Sequence, residues 1–385
     1  MIVVIADDFT GAAEIAGLGI RYGLNVTLEL EAETEPDVDL LIIATNTRSM
    51  SKEDAYEKMT VLRKKLLEMD YDWLFKKTDS VFRGHVLLEI KALLNIKNKT
   101  LLVASNPALG RKIINGQYYI NDKPLNKTGF ANDPEYPIKT SDVLKLLGSD
   151  GNVSVKLLSP EEEISGEGIF LGEAGTLGDL KKLAVKVRDD VLPAGASGFF
   201  GALLETKGYL KKILPEYESQ IDEKKYLIVV GSSYSKNYSK IPGLESGEDI
   251  FVSVMPEDVF YGEESTQSSM RKWVFDIVDA FKNYKKVIIK IDQPILRNKA
   301  VSERLKEQLA FLVEKIFAAI KIDEIVIDGG ATAYSIVNRL GLAKFKPIFE
   351  LAPGVIRMKV ENYPGLYLTI KPGSYKWPKV FEKQF

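Results

Sequence analysis

The stretch ADDFTGAAE, Ala6 to Glu14, comes directly after the apolar run MIVVI at Met1–Ile5. An unbroken apolar run of that length reads as a strand buried on both faces in a parallel sheet, and Gly11-Ala12-Ala13 as the opening of a helix. The two adjacent aspartates, Asp7 and Asp8, then sit at the carboxyl end of the first strand, the edge where open α/β sheets bind their ligands. Asp8 or Thr10 can cap the helix, but a cap needs one side chain and leaves the other aspartate unexplained. The functional reading is that one carboxylate accepts hydroxyl hydrogens from a polyol, or removes a proton from one.

The alternation of strand and helix continues outward from that stretch. Ile2–Ala6, Val26–Leu30, Leu40–Thr45, Trp73–Phe75 and Leu101–Ala104 read as strands, and Ala55, Met59, Leu62 and Leu66 recur at helical spacing. Lys58, Arg63, Lys64 and Lys65 fall largely on the other side of that helix, as a solvated face. From Ser105 to Pro137 the chain turns polar and rich in Gly, Asn and Pro, yet Tyr118, Tyr119, Ile120 and Phe130 argue for an ordered, functional loop. Strands at Val153–Leu158 and Gly168–Leu171 and helices at Leu177–Arg188 and Phe199–Leu214 complete the first half. The charged stretch from Pro215 marks the boundary, giving domains of 1–218 and 222–385. The second half restarts with strands at Tyr226–Val230, Val287–Ile291, Glu324–Ile327 and Leu366–Ile370, and helices at Ser268–Phe281 and Val301–Ile320. The latter carries Leu305, Leu309, Leu312, Val313, Ile316 and Ile320 on one stripe. The expected fold class is α/β: two three-layer domains with mostly parallel sheets and a cleft between them.

Composition narrows the chemistry. The 385 residues exceed the usual size of one domain and carry a net charge of −2, from 52 basic and 54 acidic residues mixed along the chain. No global field favours nucleic acid or an anionic membrane, so any phosphate recognition is local. No cysteine is present, which excludes disulfides, thiolate metal sites and cysteine nucleophiles. His85 is the single histidine, so acid/base work falls on carboxylates, lysines or tyrosines rather than on a histidine triad. The amino terminus lacks a basic region and a long apolar core, so a cytoplasmic location is the expectation. The oligomeric state, a homo-oligomer included, stays open.

Four further segments concentrate chemistry. KKTDSVFRGH, Lys76 to His85, follows the strand YDWLF and places Lys77, Asp79, Ser80 and Arg83 at a second strand terminus. Arg83 offers a planar fork for a carboxylate or phosphate, while an internal pair of Lys77 or Arg83 with Asp79 is the structural alternative. The long loop supplies Asn106, Gly110, Arg111, Gly116, Thr128 and Asp133. IVIDGGATA, Ile325 to Ala333, runs a strand through Gly329-Gly330 into a helix start, where backbone N–H groups attract anions. ELAPGV at Glu350–Val355 and LTIKPGSY at Leu368–Tyr375 add two more glycine turns, the latter with Lys371. None matches the Walker A pattern, which excludes a P-loop NTPase.

In order, these segments resemble the four-carbon acid sugar kinases. ADDFTGA matches that family's opening motif, Lys77 to Gly84 its K-x-D-S-x-x-R-G, and Pro107 through Pro134 its P-x-x-G-R loop. The G-G-x-T-A, E-x-x-P-G-V and K-x-G turns follow in the same order. The resemblance implies an N-terminal substrate domain and a C-terminal nucleotide domain, using ATP and Mg²⁺ to phosphorylate the terminal hydroxyl of erythronate, threonate or a 3-oxo-tetronate. It places the sugar acid on Asp7, Asp8, Thr10, Lys77, Asp79, Arg83 and Arg111, with Arg83 clamping the carboxylate and Asp8 or Asp79 acting on the hydroxyl. It places the nucleotide phosphates among Ser232, Gly329, Gly330, Thr332, Gly354, Lys371 and Gly373, and leaves the metal ligands unknown. The chain departs from the family pattern at GSSYSKNYSK after its strand at Tyr226–Val230, at Ala331 and at Pro372 and Lys376. The alternative is a non-catalytic bilobal binding protein or sensor for a small sugar acid or nucleotide. A nicotinamide dehydrogenase is disfavoured, because DDFTG puts acids where G-x-G-x-x-G would cradle a pyrophosphate.

Overall fold

The computed structural model describes residues 1–32, 37–94, 96–133, 135–149, 151, 153–213, 224–231, 249–263, 265–294, 298–373 and 375–378. The chain divides into two compact units, Met1–Ile213 and Leu214–Phe385. The charged stretch from Pro215, where the sequence suggests a boundary, lies for the most part outside the described residues.

In the first unit the elements run β1 (Ile2–Ala6), α1 (Phe9–Arg21), β2 (Val26–Glu29), β3 (Leu40–Ala44), α2 (Lys52–Glu68), β4 (Trp73–Lys77), α3 (Val86–Leu93) and β5 (Lys99–Val103). There follow β6 (Arg111–Ile114), β7 (Gln117–Ile120), β8 (Lys123–Pro124), α4 (Val143–Leu147), β9 (Val155–Leu158), β10 (Gly168–Gly172), α5 (Leu177–Val185), β11 (Val191–Gly195) and α6 (Ser197–Thr206). The main sheet orders them β2-β3-β1-β4-β11-β5-β10-β9, and every pairing in it is parallel. Alternation along β4 sorts the layers. Leu74 points with Val3, Ile5, Leu41 and Ile43 into the stripe Met59, Leu62 and Leu66 of α2. Trp73 and Phe75 point to the other face, where Phe200 of α6 lies 5.6 and 5.1 Å from their ring centres. Truncating one of the fully buried side chains in such a layer costs about 2–5 kcal/mol.

Register carries the functional consequence. Ala6 pairs with both Ala44 and Lys77, Lys77 with Gly195, and Gly195 with Val103. The carboxyl ends of β3, β1, β4, β11 and β5 therefore form one edge. β11 escapes sequence reading because VLPAG contains a proline and a glycine, which argue against a central strand. The ladder to β4 begins only at Ala194, after Pro193, and Gly195, at φ 140°, lets the backbone approach so closely that a Cβ would lie 2.0 Å from the Val103 carbonyl oxygen. The long polar loop is ordered, as its aromatics suggest. It folds into the antiparallel β6-β7-β8 sheet around the fully buried Tyr118, whose ring meets Phe82 edge-on at 6.3 Å. The helix expected over Phe199–Leu214 stops at Thr206, because Gly208 takes φ 87°, a left-handed turn that ends the helix.

The second unit contains β12 (Tyr226–Val230), β13 (Ile250–Val254), α7 (Glu257–Tyr261), α8 (Thr266–Ala280), β14 (Lys286–Lys290), α9 (Lys299–Ala319), β15 (Glu324–Asp328), α10 (Gly330–Arg339), β16 (Lys344–Ala352), β17 (Val355–Val360) and β18 (Tyr367–Lys371). Its order is β13-β14-β12-β15-β18-β17-β16. The pairings from β13 to β18 are parallel, and β17 runs antiparallel to both β18 and β16. Leu309, Leu312, Val313 and Ile316 of α9 are buried, as the stripe requires, whereas Leu305 and Ile320 are half-buried toward the helix ends. Among the described residues, no helix is long and apolar enough to cross a membrane.

Candidate active site and its relatives

The two aspartates of the opening motif have different jobs. Asp8 is the N-cap of α1: its Oδ1 accepts from the Gly11 N–H at 2.9 Å, and its Oδ2 accepts from the Thr10 hydroxyl at 2.5 Å. Asp7 is buried and is held by Arg48, whose Nε and Nη2 donate to its two oxygens at 2.8 and 3.0 Å. The same guanidinium donates to Asp8 Oδ1 at 2.9 Å and lies 3.4 Å from Asp79 Oδ1. One fork thus joins three carboxylates. Arg48 sits in the turn after β3, and nothing in its own neighbourhood marks it. Only the strand order, which places β3 beside β1, brings it to the aspartates.

Asp79 is saturated. Its Oδ2 accepts from the backbone of Val81 and Arg83 and from Arg83 Nε, at 3.1, 3.0 and 3.1 Å, and its Oδ1 accepts from Arg83 Nη2 at 2.8 Å. Burial alone would raise its pKa, but Arg83 and then Arg48 outweigh it and hold the carboxyl far below the ordinary range. Such a group is a poor proton acceptor and a good brace. Asp8 is half-buried, and the desolvation that would raise its pKa is outweighed by Arg48, Lys77 and the Thr10 hydroxyl, which bring it below normal. Among the described residues its Oδ2 accepts only from Thr10, which leaves acceptor capacity for a second hydroxyl.

Arg83, expected to clamp a substrate carboxylate, is engaged internally. It grips Asp79 and donates through Nη1 to Asp133 at 3.0 Å, so the internal-pair alternative holds for this residue. Asp133 in turn accepts from the backbone of Glu135 and Tyr136, and the Tyr136 hydroxyl donates to the Arg48 carbonyl. Lys77 does not pair with Asp79: its ammonium donates to the Thr78 carbonyl at 3.0 Å and lies 3.5 Å from Glu14. Glu14 accepts from Ser197 at 2.7 Å, which receives the Asn106 amide at 3.3 Å. Arg111 donates to the Ser80 hydroxyl. Beneath the edge, Lys76 and Glu89 form a fully buried pair at 2.7 Å, with the Glu89 carboxyl pushed upward by burial. The hollow of about 450 Å³ bordered by Lys52, His85 and Lys91 includes none of these carboxylates.

In the second unit the glycine turns gather at the ends of β15 and β18. Gly329, at φ 112°, caps α10 without a side chain, and among the described residues no side chain caps the amides of the first turn. Its N–H donates to the Lys371 carbonyl at 2.9 Å. Thr332 lies against Gly231, where a Cβ would come within 2.3 Å of its hydroxyl oxygen. Gly354 forms the turn between β16 and β17, with its N–H on Glu350 at 3.2 Å, and packs under the Tyr375 ring. Lys371 differs from the sequence expectation of a cation facing phosphate oxygens. It is buried, and its ammonium donates to Asp328 at 2.9 Å and to the carbonyls of Pro372 and Tyr375 at 3.0 and 2.7 Å. Three donors meet three acceptors, so Lys371 fixes the turn. Burial lowers its pKa although Asp328 opposes the shift. Gly373 belongs to the same turn, while Ser232 and the departures from Ser232 to Lys240 lie outside the described residues.

One unit thus carries a hydroxyl-accepting, acid-and-guanidinium edge on a parallel sheet, and the other a set of amide-lined glycine turns. The chain belongs to the family whose halves are described as a sugar-binding N-terminal domain, matched over residues 2–203, and a nucleotide-binding C-terminal domain, matched over residues 227–375. It is 23% identical over 386 residues to the D-threonate kinase of Salmonella typhimurium, covering 91% of this chain and 89% of that one. It is 22% identical over 429 residues to the 3-oxo-tetronate kinase of Actinobacillus succinogenes, covering 99% and 98%. The crystal structure of a Haemophilus influenzae protein of the DUF1537 family shares the fold with a TM-score of 0.68 at 22% identity, covering 99% of this chain and 98% of that one. The resemblance drawn from the motifs is borne out.

Proposed function

We propose that this protein is an ATP-dependent kinase that transfers a phosphoryl group to the terminal hydroxyl of a four-carbon sugar acid: erythronate, threonate or a 3-oxo-tetronate. The observation that carries the reading is the Arg48 fork, which holds Asp7, Asp8 and Asp79 at one strand edge and leaves Asp8 with an open acceptor position. Asp8, an ionised carboxylate, accepts a hydrogen bond from the attacking hydroxyl and orients it toward the phosphoryl group, and Asp79 braces Arg83 and Arg48. Phosphoryl transfer asks a protein for positioning and charge stabilisation more than for covalent chemistry. The amides at the start of α10 and the turns at Gly329, Gly330, Thr332, Gly354 and Gly373 supply a phosphate cradle, with Lys371 and Asp328 keeping it rigid. A magnesium ion carried by the nucleotide needs one or two protein carboxylates. Glu350, half-buried beside the Gly354 turn, is the carboxylate these turns offer, since Asp328 is buried and held by Lys371, and the bound ion would neutralise phosphate charge.

The test is an ATP-consumption screen over erythronate, threonate and their 3-oxo relatives, with product phosphorylation followed by mass spectrometry. Turnover on at least one tetronate, abolished in Asp8→Asn, is the expected result. Tight binding of a tetronate with no nucleotide consumption would instead establish the sensor alternative.

A further inference from the structure

Almost every cation at the substrate edge of the first unit is committed to a carboxylate. Arg48 faces Asp7, Asp8 and Asp79, Arg83 faces Asp79 and Asp133, Lys76 faces Glu89, and Lys77 lies 3.5 Å from Glu14. Arg111 is the exception. Its guanidinium donates to the Ser80 hydroxyl and lies within ion-pair distance of no carboxylate among the described residues. It is half-buried, and its position is fixed from behind: Asn106 and Arg111 exchange backbone hydrogen bonds at 2.9 and 3.1 Å, and Gly110 turns the chain at φ 68° just before it. Ser80 follows Asp79 directly, so this guanidinium sits beside the brace of the Asp8 site.

A half-buried guanidinium with one hydrogen-bond partner among the described residues retains unused donors, and its rigid fork matches a carboxylate in a planar, two-bond geometry. Arg83 cannot play that part without releasing Asp79 or Asp133. We propose that Arg111, helped by the Ser80 hydroxyl, is the anchor for the carboxylate of the sugar acid. The substrate then lies with its acid end on Arg111 and its hydroxylated end toward Asp8, and Arg111 is what separates sugar acids from neutral polyols. This assignment rests on the sugar-acid reading above and adds the orientation of the substrate.

The experiment compares wild type, Arg111→Gln, Arg111→Lys and Ser80→Ala. Titration calorimetry measures binding of the best tetronate and of erythritol, its uncharged four-carbon counterpart, and steady-state kinetics are run alongside. Circular dichroism confirms the fold of each variant. Arg111→Gln is expected to weaken tetronate binding and raise its KM about ten- to a hundred-fold, with a smaller effect on kcat and no change for erythritol. Arg111→Lys should recover part of the loss, since the charge returns without the fork. Unchanged tetronate affinity in Arg111→Gln, or equal losses for tetronate and erythritol, would overturn the proposal. Wild type that binds tetronate without consuming ATP would fail the kinase reading alone, because the binding comparison still decides the anchor.

Discussion

Replacing Arg48 by glutamine tests the central feature of the first unit. The guanidinium donates hydrogen bonds of 2.8, 3.0 and 2.9 Å to Asp7 and Asp8 and lies 3.4 Å from Asp79. Charge-assisted bonds are each worth about 1.5–3 kcal/mol, but glutamine retains one amide donor, and removing one partner of a buried ionic cluster typically costs about 3–5 kcal/mol. We therefore expect Arg48→Gln to lose about 3–5 kcal/mol at pH 7. The loss has a defined pH dependence. Asp8 and Asp79 both titrate below the ordinary carboxylate range in the folded protein, against their burial and because of Arg48 among other partners. Such groups contribute stability above the unfolded pKa, near 4, that is lost only as pH falls through their depressed folded values. Without Arg48 those folded values rise, the variant takes up protons at higher pH than wild type, and the stability gap narrows by about 1.4 kcal/mol per pH unit for each carboxylate involved. Urea unfolding at pH 7 and pH 4.5, read by hydrogen-exchange protection of the β1 and β4 peptides, measures both. A loss below about 1 kcal/mol, or one of equal size at the two pH values, would refute the coupling.

Asp8→Asn keeps a capping side chain on α1, so the fold should survive while kcat falls about 10²–10⁴-fold with little change in KM; full activity would remove Asp8 from the chemistry. Gly195→Ala puts a Cβ 2.0 Å from a carbonyl oxygen at a φ that L residues rarely adopt, and calorimetry should show a loss of about 1–3 kcal/mol or failure to fold. Lys371→Met leaves Asp328 buried without its ammonium partner. We expect a loss of about 3–5 kcal/mol in the second unit and weaker ATP binding by fluorescence titration; intact binding would separate this turn from the nucleotide.

What the sequence disclosed follows from the range of each interaction. β1, β3 and the α2 stripe were legible because their apolar pattern is local, and the edge at Asp7–Asp8 because an unbroken apolar run gives way there to two adjacent charges. β11 was hidden by a proline and a glycine whose tolerance depends on its neighbours in the sheet. Arg48 was hidden because its meaning depends on which strand lies beside β1, a fact no window of sequence contains. Arg83 and Lys371 were rightly singled out as important cations, yet the sequence gives no count of the acceptors that surround them. Asp133 and Asp328, one a loop residue and the other the last of its strand, consume part of that capacity in each unit.

The insertion of β11 between β4 and β5 has a consequence for biosynthesis. A ribosome delivers β4 and β5 long before residues 191–195 leave the exit tunnel, and until then no native partner joins those two strands. The nascent first unit must wait, with unsatisfied edges on either side of a gap, for a five-residue keystone that also brings Gly195 and the start of α6 to the substrate edge. Nicking or truncating the chain ahead of Val191 should therefore abolish sugar-acid binding even though Asp7, Asp8, Arg48 and Asp79 have all been made.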